Sequence, residues 1–227
     1  MTTTSKAYKF FDLPTVRLDF ERPDPAAVAR VGAFGTATLH EAGGKIGALP
    51  PAIKPMDPSF TLAGPAFTVH SPPGDNLWLH RAIAVAKPGD VLVVFTEGVY
   101  EHGYWGEIMS TAAKAAQLGG LVIDGCVRDG AVLGKVGFPV FARGLCIRGT
   151  GKDFGARGWL GAPLLFGDIT VEPGDVVVGD TDGVCVVPRA RADEVARKSR
   201  EREDKEAETM RQLRAGEKSI DLYGWDK

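Results

Sequence analysis

The chain has 227 residues, 44% of them hydrophobic and 25% charged, with a formal net charge of −2. That length suits one large domain or two small ones around a substantial core. The charge balance carries no basic excess of the kind nucleic-acid binders show, and no apolar run approaches the ~18 residues of a membrane span.

The opening stretch MTTTSKAYKFFDLP lacks the apolar core of a secretion signal, and residues 1–20 read as an irregular lead-in. Asp24 is placed to cap a helix beginning at Pro25, with Ala26, Ala27, Val28 and Val31 on or near one face. A second short helix is expected over 36–42. Residues 46–58, rich in proline, must be loop. Gly64-Pro65 then precedes an expected strand over 66–70, and a turn at SPPGDN leads to a helix over 76–85.

Pro88-Gly89-Asp90 opens a strand over 91–95, and Pro173-Gly174-Asp175 later opens another at Val176. A Pro-Gly turn feeding a β-branched run is a sound strand signal. Ile108, Ala112 and Ala115 recur at helical spacing within 106–118, and a buried strand follows over 121–124. Strand, helix and strand in close succession predict a βαβ unit. Further strands are expected over 140–142, 169–171 and 184–187. Residues 189–215 form a long charged helix whose few apolar contacts are Val195, Met210 and Leu213. Such a helix is either a solvated face or one that lies across a neighbouring subunit.

Cys126, Cys146 and Cys185 stand singly with no CxxC, so the expectation is reduced thiols in a cytoplasmic protein and no structural zinc. Lys114, Lys135 and Lys152 show no feature of a desolvated, Schiff-base-forming lysine. The four histidines lack a ligand pairing such as HxxxH, though His102 falls in a suspected site loop. Phe154, Trp159, Tyr223 and Trp225 are expected to pack rather than to bind a cofactor.

Two loops carry the chemistry. In EGVYEHGYWGEIM, residues 97–109, a buried strand gives way to a helix near Gly106 with no Ser, Thr, Asp or Asn immediately before it. The first-turn amides of Gly106, Glu107, Ile108 and Met109 have no obvious acceptor, and such a helix start attracts an anion. In GLVIDGCVRDG, residues 120–130, a strand ends in Asp124, expected to hold the turn, and is followed by Arg128-Asp129. Loops past the C-terminal ends of neighbouring parallel strands lie near each other. The crevice between them would hold free amides, a guanidinium and two carboxylates. Carboxylates suit Mg²⁺ or Mn²⁺, and an arginine beside them suits an enolate. A plain surface ion pair remains the other reading, and spacing alone leaves both open.

Glu107, twenty intervening residues and Arg128-Asp129 resemble the acidic-X20-Arg-Asp signature of the metal-dependent 4-hydroxy-4-methyl-2-oxoglutarate/4-carboxy-4-hydroxy-2-oxoadipate aldolases. These are class II pyruvate aldolases similar in fold to the regulator of ribonuclease E activity A. TATLHEAGGKIGALPPAIKPM, LAGPAFTV, GDNLWLHRAIAVAKPGDVLVV, GLVIDGCVRD and GDTDGVCVVP also look like segments of that family.

The resemblance implies an α/β fold, a layered α/β/β/α sandwich, as one catalytic domain over residues 1–190. Residues 191–227 would form a C-terminal helix and tail that pack on a neighbouring subunit of a homotrimer or homohexamer. It implies small 2-oxo acid substrates, a divalent Mg²⁺ or Mn²⁺, no organic cofactor, and neither nucleic-acid nor membrane partners. Asp129 would bind the metal directly. Glu107 stands where the family has Asp and would contact metal-bound water or the metal itself. Arg128 would hold the oxygen that becomes the enolate, and the amides of residues 106–109 the carboxylate. Glu203 or Glu206 from the next subunit, and Glu41, are candidates to complete the water shell. Oxaloacetate decarboxylation would be a side activity; the alternatives are a metal-dependent lyase or decarboxylase for another 2-oxo acid and a non-enzymatic ribonuclease-regulator-like binding protein.

Overall fold

The structure, a computed structural model, describes residues 8–226; residues 1–7 of the expected lead-in and Lys227 lie outside the described residues. What remains of the lead-in is one 3-10 turn, Lys9–Asp12, and extended chain. Helices α1 (Pro25–Gly32) and α2 (Thr36–Ala42) come first, then strands β1 (Lys54–Pro55) and β2 (Leu62–His70). Next come α3 (Leu77–Val85), β3 (Val91–Phe95), α4 (Glu107–Ala115), β4 (Gly120–Asp124), β5 (Cys126–Val127) and α5 (Gly130–Val136). They are followed by β6 (Val140–Ala142), β7 (Gly144–Leu145), β8 (Trp159–Leu160), β9 (Leu164–Phe166) and β10 (Ile169–Val171). The chain ends with β11 (Val176–Asp180), β12 (Gly183–Val187), α6 (Ala192–Arg214) and α7 (Ser219–Leu222).

The main sheet has the order β1-β6-β4-β3-β2-β11-β12, with β8 also paired to β2. Strands β2, β3, β4 and β6 are parallel, with α3, α4 and α5 as the crossovers between them. The expected βαβ unit therefore holds, and its strands read as continuous apolar runs because both faces are covered. Val91 to Val94 and Leu121 to Ile123 are fully buried, each contributing about 1.5–3 kcal/mol by leaving water.

At the other end of the sheet, β11 and β12 are antiparallel and alternate strictly. Val177, Val184 and Val186 join the main core, while Val176, Val178, Cys185 and Val187 face α1, α2 and α6. This two-residue period separates two apolar layers with one strand pair between them. The result is a layered α/β fold with a long charged C-terminal helix, as the sequence leads one to expect.

Both Pro-Gly-Asp turns work the same way. Asp90 accepts from the Lys87 amide at 2.8 Å, and Asp175 from the Glu172 amide at 2.9 Å, each reaching back three residues. Each carboxylate is then pinned from elsewhere: Asp90 by both arms of Arg22, Asp175 by the Arg189 amide. At the first helix, Asp24 caps α1 through the Ala26 amide at 2.7 Å.

Several expectations need correction. Strand β2 starts at Leu62 and runs through Gly64-Pro65, because its first half pairs antiparallel with β11 before the rest pairs with β3. A Cβ on Gly64 would collide with the Gly89 carbonyl, so glycine is what lets these backbones meet. The helix expected to reach residue 118 stops at Ala115; Gln117 adopts a left-handed conformation (φ 58°) and the Leu118 amide closes back on Ala113. Helix α6 begins at Ala192 rather than 189. It buries Ala192, Val195, Ala196 and Ser199 against α1 and α2, while Met210 is half exposed and does not pack into the core. Phe154, expected to pack, is 81% exposed. Asp124 does not hold its own turn: its carboxylate accepts from Arg143 Nε at 2.6 Å, and that guanidinium lies over the Tyr100 ring.

Candidate active site

The loops that follow β3 and β4 do converge. Gly103 forms a bridge to Cys126, the Tyr104 amide donates to the Cys126 carbonyl at 3.0 Å, and the Arg128 amide donates to the Trp105 carbonyl at 2.8 Å. Tyr104 and Trp105 are fully buried and anchor the first loop. The Tyr104 hydroxyl donates to the Val99 carbonyl and accepts from the Gly74 amide, and Trp105 Nε1 donates to Ser110 Oγ. Asn76 Nδ2 braces the same loop from α3 by donating to the Tyr104 carbonyl at 2.9 Å.

Between the loops lies a cavity of about 230 Å³. Its lining includes Gly106, Ile108 and Met109 from the start of α4, Arg128 and Asp129 from the β4 side, and His80 from α3. Asp129 Oδ2 accepts from the Glu107 amide at 3.0 Å. The helix start that has no cap in its own sequence is thus capped from twenty-two residues away. Asp129 itself is left-handed, with φ 62° and ψ 32°, a conformation that Asp and Asn tolerate better than most residues. Gly106 serves this contact: a Cβ there would collide with Asp129 Oδ2.

The Glu107 amide is occupied, whereas the amides of Gly106, Ile108 and Met109 have no acceptor among the described residues. Arg128 Nε stands 3.9 Å from Asp129 Oδ2, a loose pair with both side chains near half exposed. The guanidinium is therefore not locked onto the carboxylate and can face a ligand.

Not every expected site residue joins this group. Glu107 is exposed, and its side chain does not line the cavity. Glu41 and Glu206 meet elsewhere, around Arg202 at 4.0 and 2.8 Å, and Glu203 pairs with Arg200 at 2.9 Å. None of these three lines the cavity within one chain. His102, in the same loop as Tyr104, sits against the Tyr104 ring and does not line the cavity.

Sequence reasoning missed His80, Thr150 and Lys152, which all line the cavity. His80 is half-buried, and its pKa is held below the usual value, first by burial and then by the Lys152 charge, against an opposing pull from Asp75. The only signal for the other two was the glycine-rich run RGTGK, which by itself says loop.

The RraA-like family model, described as Aldolase/RraA, matches residues 29–186. A protein of Halalkalibacterium halodurans provisionally named 4-hydroxy-4-methyl-2-oxoglutarate aldolase is 34% identical over 66% of this chain and 71% of its own length. An uncharacterized protein from Pseudomonas syringae superposes with a TM-score of 0.76 at 29% identity, over 88% of this chain and 93% of that one. Streptomyces coelicolor RraAS2, described as an unusual member of the RNase ES inhibitor RraA family, superposes at 0.73 with 28% identity, over 85% and 99% of the two chains. The chain belongs to the RraA-like, Aldolase/RraA family.

Proposed function

We propose that the chain is a divalent-metal-dependent pyruvate aldolase, a carbon–carbon lyase. It cleaves 4-carboxy-4-hydroxy-2-oxoadipate to pyruvate and oxaloacetate, or 4-hydroxy-4-methyl-2-oxoglutarate to two pyruvates, and decarboxylates oxaloacetate as a side reaction. The observation that carries this reading is one cavity joining Arg128, Asp129 and the free amides at the start of α4.

The donor chemistry fits a hard cation. Asp129 Oδ1 has no hydrogen-bond partner among the described residues, so one carboxylate oxygen is available. Among those residues no group of three His, Cys, Asp or Glu side chains could hold a metal. A single carboxylate completed by water and substrate oxygens suits Mg²⁺ or Mn²⁺ and not a closed zinc site. Asp129 would hold the ion, which when bound supplies positive charge beside the 2-oxo acid.

The chain's own residues do the rest. The amides of Gly106, Ile108 and Met109 bind the C1 carboxylate at the positive end of α4. Arg128 faces the C2 oxygen. When the proton leaves the C4 hydroxyl to a carboxylate-held water, the C4 oxygen becomes the carbonyl of the departing 2-oxo acid, the C3–C4 bond breaks, and its electron pair collects as the enolate of pyruvate, which takes a proton back at C3 from that water. Arg128 stabilises that oxygen more in the transition state than in the ground state, which is what lowers the barrier. Glu107, at the rim, orients water and does not grip substrate. A homotrimer or homohexamer would bring Glu41 and the α6 glutamates Glu203 and Glu206 of one subunit to the cavity of the next, which is the role we assign to residues 191–227.

The likeness to RraAS2 favours a second reading, a protein that binds and inhibits a ribonuclease without turnover. A comparison of kcat/KM for the two aldols and oxaloacetate, with metal titrated, separates them. The aldolase reading requires pyruvate release from at least one aldol; no turnover of any of the three compounds supports the binding protein.

A further inference from the structure

The cavity has a second polar corner that the pyruvate-forming steps do not use, made by His80, Thr150 and Lys152. Its position is built in. Asp75 is almost fully buried and splits its carboxylate between two amides: Oδ1 takes Leu77 at 2.8 Å and Oδ2 takes Asp153 at 2.6 Å. The Gly151 amide donates to the Gly74 carbonyl at 2.7 Å, and the Gly151 carbonyl accepts from Asn76. This staple ties residues 151–153 to the start of α3, so that Lys152 and Thr150 stand in the cavity wall with His80.

Lys152 has no hydrogen bond or ion pair among the described residues. Its charge reaches His80, where burial first and then that charge disfavour the protonated imidazole, against the pull of Asp75. The nearby carboxylates make no ion pair with Lys152: Asp75 accepts from two amides, though its charge still pulls on His80, and Asp153 accepts from the Gly155 amide at 2.8 Å. Arg128 and Lys152 against Asp129 leave the lining with a net charge of +1. A divalent cation on Asp129 would raise that to +3, a surplus suited to a ligand with three carboxylates.

We propose that His80, Thr150 and Lys152 form a subsite for an additional carboxylate, so that the site prefers a tricarboxylic aldol over a dicarboxylic one. This rests on the pyruvate-aldolase reading and ranks its substrates. A carboxylate there gains a charge-assisted hydrogen bond from Lys152 and neutral ones from the Thr150 hydroxyl and the His80 ring. In 4-hydroxy-4-methyl-2-oxoglutarate a methyl group replaces the carboxymethyl arm, and Lys152 is left without a partner.

The test is Lys152→Met, with Lys152→Arg as the conservative control, in the full-length chain with Mg²⁺. For Lys152→Met, kcat/KM for 4-carboxy-4-hydroxy-2-oxoadipate should fall roughly 10- to 100-fold, the range one charged hydrogen bond supplies. That for 4-hydroxy-4-methyl-2-oxoglutarate and oxaloacetate should change less than about threefold, and Lys152→Arg should restore most of the loss. Equal losses on all three substrates, or none, would overturn the subsite. Calorimetry with unreactive acids keeps the question open to decision even if no aldol is cleaved. Wild type should bind tricarballylate more tightly than glutarate, and Lys152→Met should erase that difference. A preference that survives the substitution overturns the subsite whatever the outcome for the aldolase reading.

Discussion

Asp129 Oδ2 accepts the backbone amide of Glu107 at 3.0 Å, so the carboxylate that ends one strand's loop caps the helix that leaves its neighbour. One side chain thus fixes the geometry of two loops and still presents its second oxygen to the cavity. Asp129→Asn should separate these roles. Asparagine tolerates the left-handed backbone and still offers an oxygen to the cap. Turnover should fall more than about 100-fold, while the thermal midpoint stays within roughly 4 °C, the shift that about 1 kcal/mol would cause. Activity near wild type would remove Asp129 from the chemistry.

Gly106→Ala tests the same contact from the other side. The new Cβ meets Asp129 Oδ2 and must push the carboxylate off the Glu107 amide. A displacement of about 1 Å at a catalytic group costs on the order of 100-fold in rate. The variant should fold, lose turnover on every substrate alike, and bind Mn²⁺ more weakly by titration.

Arg128→Ala should lower kcat for both aldol cleavage and oxaloacetate decarboxylation by roughly 100- to 1,000-fold, the usual effect of removing one donor to a developing oxyanion. Its side chain is half exposed and only loosely paired, so circular dichroism and the melting curve should not change. A variant that decarboxylates oxaloacetate at the wild-type rate would refute the enolate role.

Away from the site, Arg22 grips Asp90 with two bonds of 2.8 Å, and the Asp90 side chain is fully buried. Arg22→Ala would leave that buried carboxylate with no cation and only the Lys87 amide, at a cost of about 3–5 kcal/mol. Urea unfolding should show it as a lower midpoint with an unchanged slope.

What could be read from the sequence was local. Asp24-Pro25 marks a helix start, and Pro-Gly-Asp marks a strand start in which Asp90 and Asp175 each hold the amide three residues back. The run of buried β-branched residues fixes the parallel strands. What could not be read was pairing across distance. No periodicity tells that Asp129 caps α4, that Asp124 belongs to Arg143, or that Asp75 reaches Asp153 and so sets Lys152 in the cavity wall. Glu107 shows the limit from the opposite direction: its position in the motif is clear, yet what meets Asp129 is its backbone amide, and its exposed side chain is not among the residues lining the cavity.

The most direct test is pyruvate release from 4-carboxy-4-hydroxy-2-oxoadipate by the purified chain before chelation, after exhaustive chelation and after Mg²⁺ or Mn²⁺ is restored. The account predicts turnover that falls to background on chelation and returns with either ion in wild type, but does not return in Asp129→Asn. Full activity in the chelated protein would contradict it.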